Sequence, residues 1–255
     1  MNDAEKRPQI NALNRQKIAR LRKKIERFEP LSQSAAHITT GFGAIDDYFA
    51  AHVGGGGLAL GGVHEIIAAR TGDMAAALGF AHHLATRFRG VQTALLYGQT
   101  HAGVRDTGQP YAPALMARDD LIYLDGVSLP ELMWAGEEAL SCDAIGCIIL
   151  ASTDEAPNFT FSRRLSMTAR SVDRPLIMTL GASAAGTASA AASRWQVQAI
   201  ANNGWQLTLT RLRSSYRQTP PTQGWQVFPA MPQNHADGGA ETPPMVATRR
   251  QSAAN

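Results

Sequence analysis

Ile145-Gly146-Cys147-Ile148-Ile149-Leu150 is the most apolar run of the chain. Six successive residues without a charge, and without alternation of apolar and polar side chains, are typical of a strand that is buried on both faces. Such strands occur where helices cover both faces of a parallel sheet. The run therefore predicts an α/β fold in which residues 145–150 form the central strand.

Strands and helices alternate around this run, from residue 63 to residue 180. The predicted strands are Val63–Ala68, Gln92–Tyr97, Leu121–Leu124 and Pro175–Leu180, and the predicted helices are 73–88, 112–117, 129–140 and 161–172. This alternation predicts a mostly parallel sheet with helices on both faces. Two further runs, Trp195–Ile200 and Trp205–Leu212, flank a turn at Asn202-Asn203-Gly204 and predict a C-terminal β-hairpin.

The composition restricts the class of protein. The chain has 255 residues, of which 44% are hydrophobic and 18% charged, and this balance excludes a wholly disordered chain, a coiled coil and a collagen. No run of 18 apolar residues is present, so no segment is predicted to span a membrane. Two cysteines, Cys142 and Cys147, exclude a disulfide scaffold, and we interpret both as inert core thiols. We expect a cytoplasmic protein.

The excess positive charge lies in the first 30 residues. They hold nine basic and four acidic side chains, a net charge of +5, whereas the other 225 residues carry a net charge of −2. A DNA-binding domain usually has a basic face in its folded part. The folded part of this chain has no such excess, so we expect contact with DNA to be mainly indirect.

The same N-terminal segment has the pattern of an amphipathic helix over residues 9–28. Ile18, Leu21, Ile25 and Phe28 recur at spacings of 3, 4 and 3, beside the basic Arg20 and Lys24. This stripe either packs on its own domain or binds a partner protein. We divide the chain into this helix (1–30), a core (31–228) and a disordered tail (229–255), since the tail is polar, rich in Pro and Gly, and without periodicity.

The turn after the strand 63–68 is where an α/β protein would bind phosphate groups, at the start of the following helix. A P-loop needs a lysine for the β- and γ-phosphates and a Ser or Thr for magnesium. Gly72, Asp73, Met74 and Ala75 stand there instead, and the Asp73 carboxylate would repel a phosphate. The strand 145–150 also leads into Ala151 and Ser152, without the magnesium-binding Asp of an NTPase. The sequence predicts neither a nucleotide cofactor nor ATPase activity.

The remaining polar groups give weaker signals. The histidines lack the spacing of a metal site, and we interpret them as structural residues. Asp154 is interpreted as a solvated loop carboxylate. Two arginine groups are candidate contacts for phosphate or for an acidic partner, or else form a solvated rim with internal ion pairs. They are Arg163 with Arg164, and Arg211 with Arg213.

The order of the segments resembles a RecA-type core. The resemblance lies in Thr40-Gly41, Ala44-Ile45-Asp46, Gly55-Gly56-Gly57-Leu58 and Gly61-Gly62-Val63-His64-Glu65-Ile66, which lead into the strand that precedes a P-loop. Three later segments are similar to one branch, the ImuA family of RecA-like proteins without a working P-loop. They are Glu137–Leu140, Phe159–Leu165 and Ala192–Val197, and the likeness covers roughly residues 15–228.

The resemblance implies a role in damage-induced mutagenesis. ImuA-like proteins act in translesion synthesis with RecA, a Y-family polymerase-like protein and an error-prone C-family polymerase, in the bacterial cytoplasm. On this reading the chain is a non-catalytic adaptor whose helix 9–28 docks on a RecA-like subunit. The small-residue loop 182–193 stands where RecA has a DNA-binding loop, yet holds no Lys or Arg. A DNA-dependent ATPase and a SulA-like inhibitor of cell division remain as alternatives.

Overall fold

The computed structural model describes residues 36–53, 55–88, 94–110, 121–213 and 224–229. The predicted helix over 9–28, the predicted helix over 112–117 and the predicted tail beyond Pro229 lie outside these residues. The description below concerns the described ranges alone.

The described residues form ten strands and five α-helices. The helices are α1 (Gly43–Val53), α2 (Met74–Phe88), α3 (His101–Thr107), α4 (Leu129–Leu140) and α5 (Phe159–Ser171). The strands are β1 (His37–Ile38), β2 (Leu58–Ala59), β3 (Val63–Ala68), β4 (Ala94–Thr100), β5 (Leu121–Val127), β6 (Ile145–Ser152), β7 (Leu176–Leu180), β8 (Ser193–Ile200), β9 (Gly204–Leu212) and β10 (Trp225–Val227).

Eight of these strands form one sheet in the order β10-β9-β8-β3-β7-β6-β4-β5. The six strands from β8 to β5 are parallel, and β9 and β10 are antiparallel to their neighbours. Apolar side chains of α1 and α2 pack on one face, and those of α4 and α5 pack on the other. The predicted fold class is therefore confirmed: the protein is α/β, with a mostly parallel sheet flanked by helices and consistent with a RecA-like core.

The predicted hairpin is also present. β8 pairs with β9 from Ser193–Leu212 to Ile200–Gly204, and the turn between them holds Asn202 and Asn203 at φ angles of 60° and 55°. Two successive positive φ angles are typical of a two-residue turn whose twist matches that of the strands. Asparagine tolerates this conformation better than most residues do, which is why the sequence signal at this turn was reliable.

Several element boundaries differ from the prediction. β4 continues to Thr100, whose hydroxyl accepts a hydrogen bond from the backbone N–H of Gly103 and so begins α3, a helix that the sequence pattern did not predict. β5 continues to Val127. α5 begins at Phe159 because the side chain of Asn158 accepts a hydrogen bond from the N–H of Phe161 and caps the helix.

The prediction that both thiols lie in the core is wrong for Cys142. Cys147 is buried in β6, whereas Cys142 is exposed in the turn between α4 and β6. This turn is held by backbone hydrogen bonds, from Cys142 N–H to the carbonyl of Ala139 and from Ile145 N–H to the carbonyl of Cys142. The Cys142 side chain is thereby left at the surface.

Residues 181–192, which we name the crossover segment, are packed rather than a free loop. They lead from the carboxyl end of β7 to the amino end of β8, begin with a 3-10 helix at Ala182–Gly186, and bury Ala184, Ala190 and Ala191. Ala184 and Ala191 belong to the apolar cluster on the α4 and α5 face of the sheet. Small side chains let the backbone lie directly on that face. The predicted loop 182–193 is present as a connection that includes a 3-10 helix, except that Ser193 already belongs to β8.

Candidate functional site

The carboxyl ends of β3, β4, β6 and β7 meet at one edge of the sheet, where open α/β proteins bind ligands. The turn that follows β3 is fixed to the neighbouring strand. The Ala69 N–H donates to the carbonyl of Val197 at 2.8 Å, and residues Thr71–Asp73 form a 3-10 turn that leads into α2. This turn is therefore fixed to β8 at its start.

Asp73 is the centre of this turn. Its side chain is buried, with the residue 3% exposed, and it accepts hydrogen bonds at 3.0 Å from the Nε of Arg70 and from the backbone N–H of Ala199. Burial alone would raise the pKa of this carboxyl group. The hydrogen bonds from Arg70 and Ala199, together with the charge of Arg70, outweigh burial and lower the pKa. Asp73 is therefore ionised at neutral pH, beside the N-terminus of α2.

The other residues of the degenerate P-loop have different surroundings. Gly72 is exposed, and an added Cβ atom would meet nothing within 4 Å. Met74 is buried in the apolar cluster under α2, and Ala75 is exposed on the helix. In a P-loop, the lysine that binds phosphate would stand at this position. Here Met74 stands there instead, with its apolar side chain in the core and the Asp73 carboxylate beside it.

The carboxyl end of β6 carries no acidic side chain. Ala151 and Ser152 are buried, and Asp154 is exposed in the following loop, as predicted for a solvated carboxylate. Asp106 of α3 contacts this loop: its Oδ2 accepts a hydrogen bond from the hydroxyl of Thr153 at 2.6 Å. This bond fixes the loop after β6 to α3.

A buried polar network lies on the face of β3 that points away from α2, and the sequence pattern did not predict it. Glu65 is 1% exposed and its Oε2 accepts a hydrogen bond from the Nε of Arg194 at 2.7 Å, while its Oε1 accepts one from the hydroxyl of Ser189. Arg194 is 7% exposed and also donates to the carbonyls of Ala185 and Thr187. A charged residue inside an apolar strand requires a partner, and this was the signal available in the sequence.

The four candidate arginines lie in two separate places. Arg163 and Arg164 are exposed on α5, and Arg164 forms an ion pair with Glu137 of α4. Arg211 donates to the carbonyl of Ser189 and Arg213 to that of Ala190, so both bind the crossover segment. The predicted docking residues of the N-terminal helix lie outside the described residues: they are Ile18, Arg20, Leu21, Lys24, Ile25 and Phe28.

Histidines of the described core have the structural roles that we inferred for them. His64 is buried; its Nδ1 lies 2.8 Å from the hydroxyl of Ser193 and its Nε2 lies 2.9 Å from the carbonyl of Ala59. His83 lies 2.8 Å from the carbonyl of Thr40 and stacks on Phe42. Within the described ranges, no three His, Cys, Asp or Glu side chains are grouped in a way that would hold a metal ion.

A titration with magnesium ATP tests the prediction that the turn after β3 binds no nucleotide. We expect the melting temperature (Tm) to stay unchanged, because the ionised Asp73 carboxylate opposes phosphate at the N-terminus of α2. A ligand present at about 100 times its Kd adds about 2.7 kcal/mol to the free energy of unfolding. This would raise the Tm of a domain of this size by about 5–10 °C. A rise of that size with ATP, absent with magnesium alone, would contradict the prediction.

No protein-family model matches the chain, and no curated protein matches it either. In the part of the chain that the structure describes, no helix is both long enough and apolar enough to cross a membrane.

Proposed function

We propose that this protein is a non-catalytic, RecA-like adaptor in damage-induced translesion DNA synthesis. It would act in the cytoplasm through contacts with RecA and with an error-prone polymerase complex, made of a Y-family polymerase-like protein and a C-family polymerase. The observation that supports this most is the turn after β3. There, Asp73 is buried and held by Arg70 and β8, and Met74 packs in the core.

A RecA-like core with a carboxylate at the N-terminus of α2 lacks the positive charge that holds a triphosphate. Such a core keeps the shape of a RecA subunit while its interactions with other proteins carry the function. The resemblance of Glu137–Leu140, Phe159–Leu165 and Ala192–Val197 to the ImuA family supports the choice of translesion synthesis as the process.

The N-terminal segment is the part that we assign to RecA. Its apolar stripe is flanked by basic residues, which is the pattern of a helix that docks in an apolar groove with an acidic rim. A subunit that docks on RecA in this way, without nucleotide of its own, would cap or modulate a RecA filament while it recruits a polymerase. Direct contact with DNA is not needed for this role.

Substitution of Leu21, Ile25 and Phe28 by Glu tests the docking segment. We expect the triple variant to lose at least about 10-fold in capture of purified RecA, since three apolar contacts of about 1–2 kcal/mol each are removed and charge is placed in the interface. The measurement is a pull-down of RecA with the tagged full-length chain, with the melting temperature of each variant taken as a check of folding.

The matched control places the same three negative charges on the other side of the predicted helix. Gln9, Ala12 and Gln16 changed to Glu alter the net charge equally but leave the apolar stripe intact. Equal capture by the two variants would overturn the docking assignment. A second pull-down, from bacteria treated with a DNA-damaging agent, tests the process. Recovery of division proteins, with neither RecA nor a Y-family polymerase-like protein, would refute the role in translesion synthesis.

A further inference from the structure

The three strands at one end of the sheet contain no acidic residue. β8, β9 and β10 comprise residues 193–200, 204–212 and 225–227, and none of these is Asp or Glu. Arg194 and Arg211 are directly opposite each other in the pairing of β8 with β9, and Arg213 follows. Arg194 forms an ion pair with Glu65. Arg211, directly opposite Arg194, adds a further positive charge at this end of the strands.

The surroundings of Arg211 disfavour its charged form. Burial lowers the pKa of Arg211, and the positive charges of Arg194 and Arg213 lower it further, while Glu65 opposes them. Arg211 stays protonated at neutral pH, but its charge is destabilised by its neighbours. Because Arg211 is also exposed, an anion from solution can reach it. A bound anion would relieve the repulsion among the three groups.

The face of these strands that points away from α2 is polar. Trp195, Val197 and Leu207 are buried on the α2 side, so the residues that alternate with them lie on the other side. Arg211 joins that other side because the pairing of β8 with β9 shifts by one residue between Arg194–Arg211 and Trp195–Leu209. In the strand register Gln196 is opposite Thr208, and Gln206 is opposite both Gln198 and Gln226. We name this surface the outer face: Gln196, Gln198, Gln206, Thr208, Arg211, Gln226 and Phe228. Amides and hydroxyls both donate and accept hydrogen bonds, so the surface suits a polar ligand of mixed character.

An aromatic ring lies at the far end of the outer face. Phe228 is 55% exposed, and its ring carbons lie 2.6–2.8 Å from the position of a Cβ added to Gly204, beside Ile200. Because Gly204 has no side chain, the ring of Phe228 can occupy the space beside its backbone. The distance from the arginine end to this ring is six residues of β8, or about 20 Å. The outer face thus has positive charge at one end, amides in the middle and an exposed ring at the other end.

We propose that the outer face binds single-stranded DNA, with phosphate groups at Arg211 and a base stacked on Phe228. Surfaces that bind single strands without sequence preference combine positive charge along the backbone with aromatic rings that stack on bases. An acidic peptide would use the arginines but gain nothing from a ring about 20 Å away. Duplex DNA is read by an element that enters a groove, and a flat sheet offers none. This proposal does not depend on the adaptor role.

The test is fluorescence anisotropy of a labelled oligo-dT strand titrated with the full-length protein. The N-terminal segment is basic in every variant, so its contribution is a constant background. We expect Arg211→Gln and Phe228→Ala each to weaken binding about 5- to 10-fold, with the slope of log K against log salt concentration reduced by about 0.7 for Arg211→Gln alone. Arg105→Gln, an equal loss of charge at an exposed residue of α3, is the matched control and should bind as the wild type does.

Arg211 also holds the crossover segment, so a third variant separates binding from folding. Gln226→Glu places a negative charge on an exposed residue of the edge strand β10, and we expect it to weaken binding about 5-fold with an unchanged Tm. Wild-type affinity in Phe228→Ala and Gln226→Glu would overturn the proposal. So would displacement of the labelled strand by an acidic peptide with equal potency, since that outcome would assign the face to a protein partner.

Discussion

Substitution of Arg194 by Ala is expected to lower the free energy of unfolding by about 3–5 kcal/mol, because it leaves Glu65 buried without its counter-charge. Glu65 is 1% exposed, and Arg194 supplies the ion pair at 2.7 Å. The same guanidinium also donates to the carbonyls of Ala185 and Thr187. For a domain of this size the loss corresponds to a Tm lower by about 6–20 °C.

Thermal unfolding of three variants distinguishes the ion pair from a general effect of charge. Arg163→Ala removes an exposed arginine of α5 and should shift the Tm by no more than about 2 °C. The double variant Glu65→Gln with Arg194→Met removes both charges and should recover a large part of the loss, since the cost comes from an unpaired carboxylate. A Tm for Arg194→Ala within 2 °C of the wild type would show that Glu65 is not buried as described.

Acidification from pH 6.5 to about 4 is expected to reduce the free energy of unfolding by about 3 kcal/mol through His64 alone. Burial lowers the pKa of His64 to about 4, against the favourable effect of its hydrogen bond with Ala59, whereas the unfolded chain has the ordinary value of about 6.5. Between these two values the unfolded state binds the proton and the folded state does not. Stability is therefore full above about pH 6.5 and falls as the pH decreases through this window.

The measurement is urea unfolding of the wild type and of His64→Gln at several pH values. The difference between the two proteins isolates His64, because His83 and Asp73, whose pKa values are also lowered, remain in both. The wild type should lose stability more steeply than the variant between pH 6.5 and 4. Parallel curves for wild type and His64→Gln would contradict the assignment of a buried neutral imidazole.

The sheet was predictable because its signals are local. The continuous apolar run at 145–150 and the Asn202-Asn203-Gly204 turn each determine backbone conformation within a few residues. α3 was missed because its start depends on one hydroxyl, that of Thr100, and because its sequence, His101–Thr107, has no apolar period. Short helices of this kind are stabilised by their caps and their neighbours rather than by a stripe of side chains.

The polar network at β3 was not predictable from the sequence in the same way. Glu65 and Arg194 are 129 positions apart along the chain, and only the pairing of β3 with β8 places them side by side. Asp73, in the turn after β3, could be recognised as unfavourable for phosphate from its position alone. Its bonds to Arg70 and to the backbone of Ala199 required the three-dimensional arrangement of the turn and β8.

The alanines of the crossover segment have a consequence for the evolution of this chain. Ala184, Ala190 and Ala191 each expose at most 1% of their surface, against strands that are themselves fully packed. A side chain larger by even one or two carbons would have to lift the backbone from the sheet, at a cost of about 1–3 kcal/mol. Amino-acid substitution at these positions is therefore limited by the volume of the side chain and not by its chemical type. Proteins that descend from this one would keep small residues (Ala, Gly or Ser) at these positions, although the identity of each residue would change.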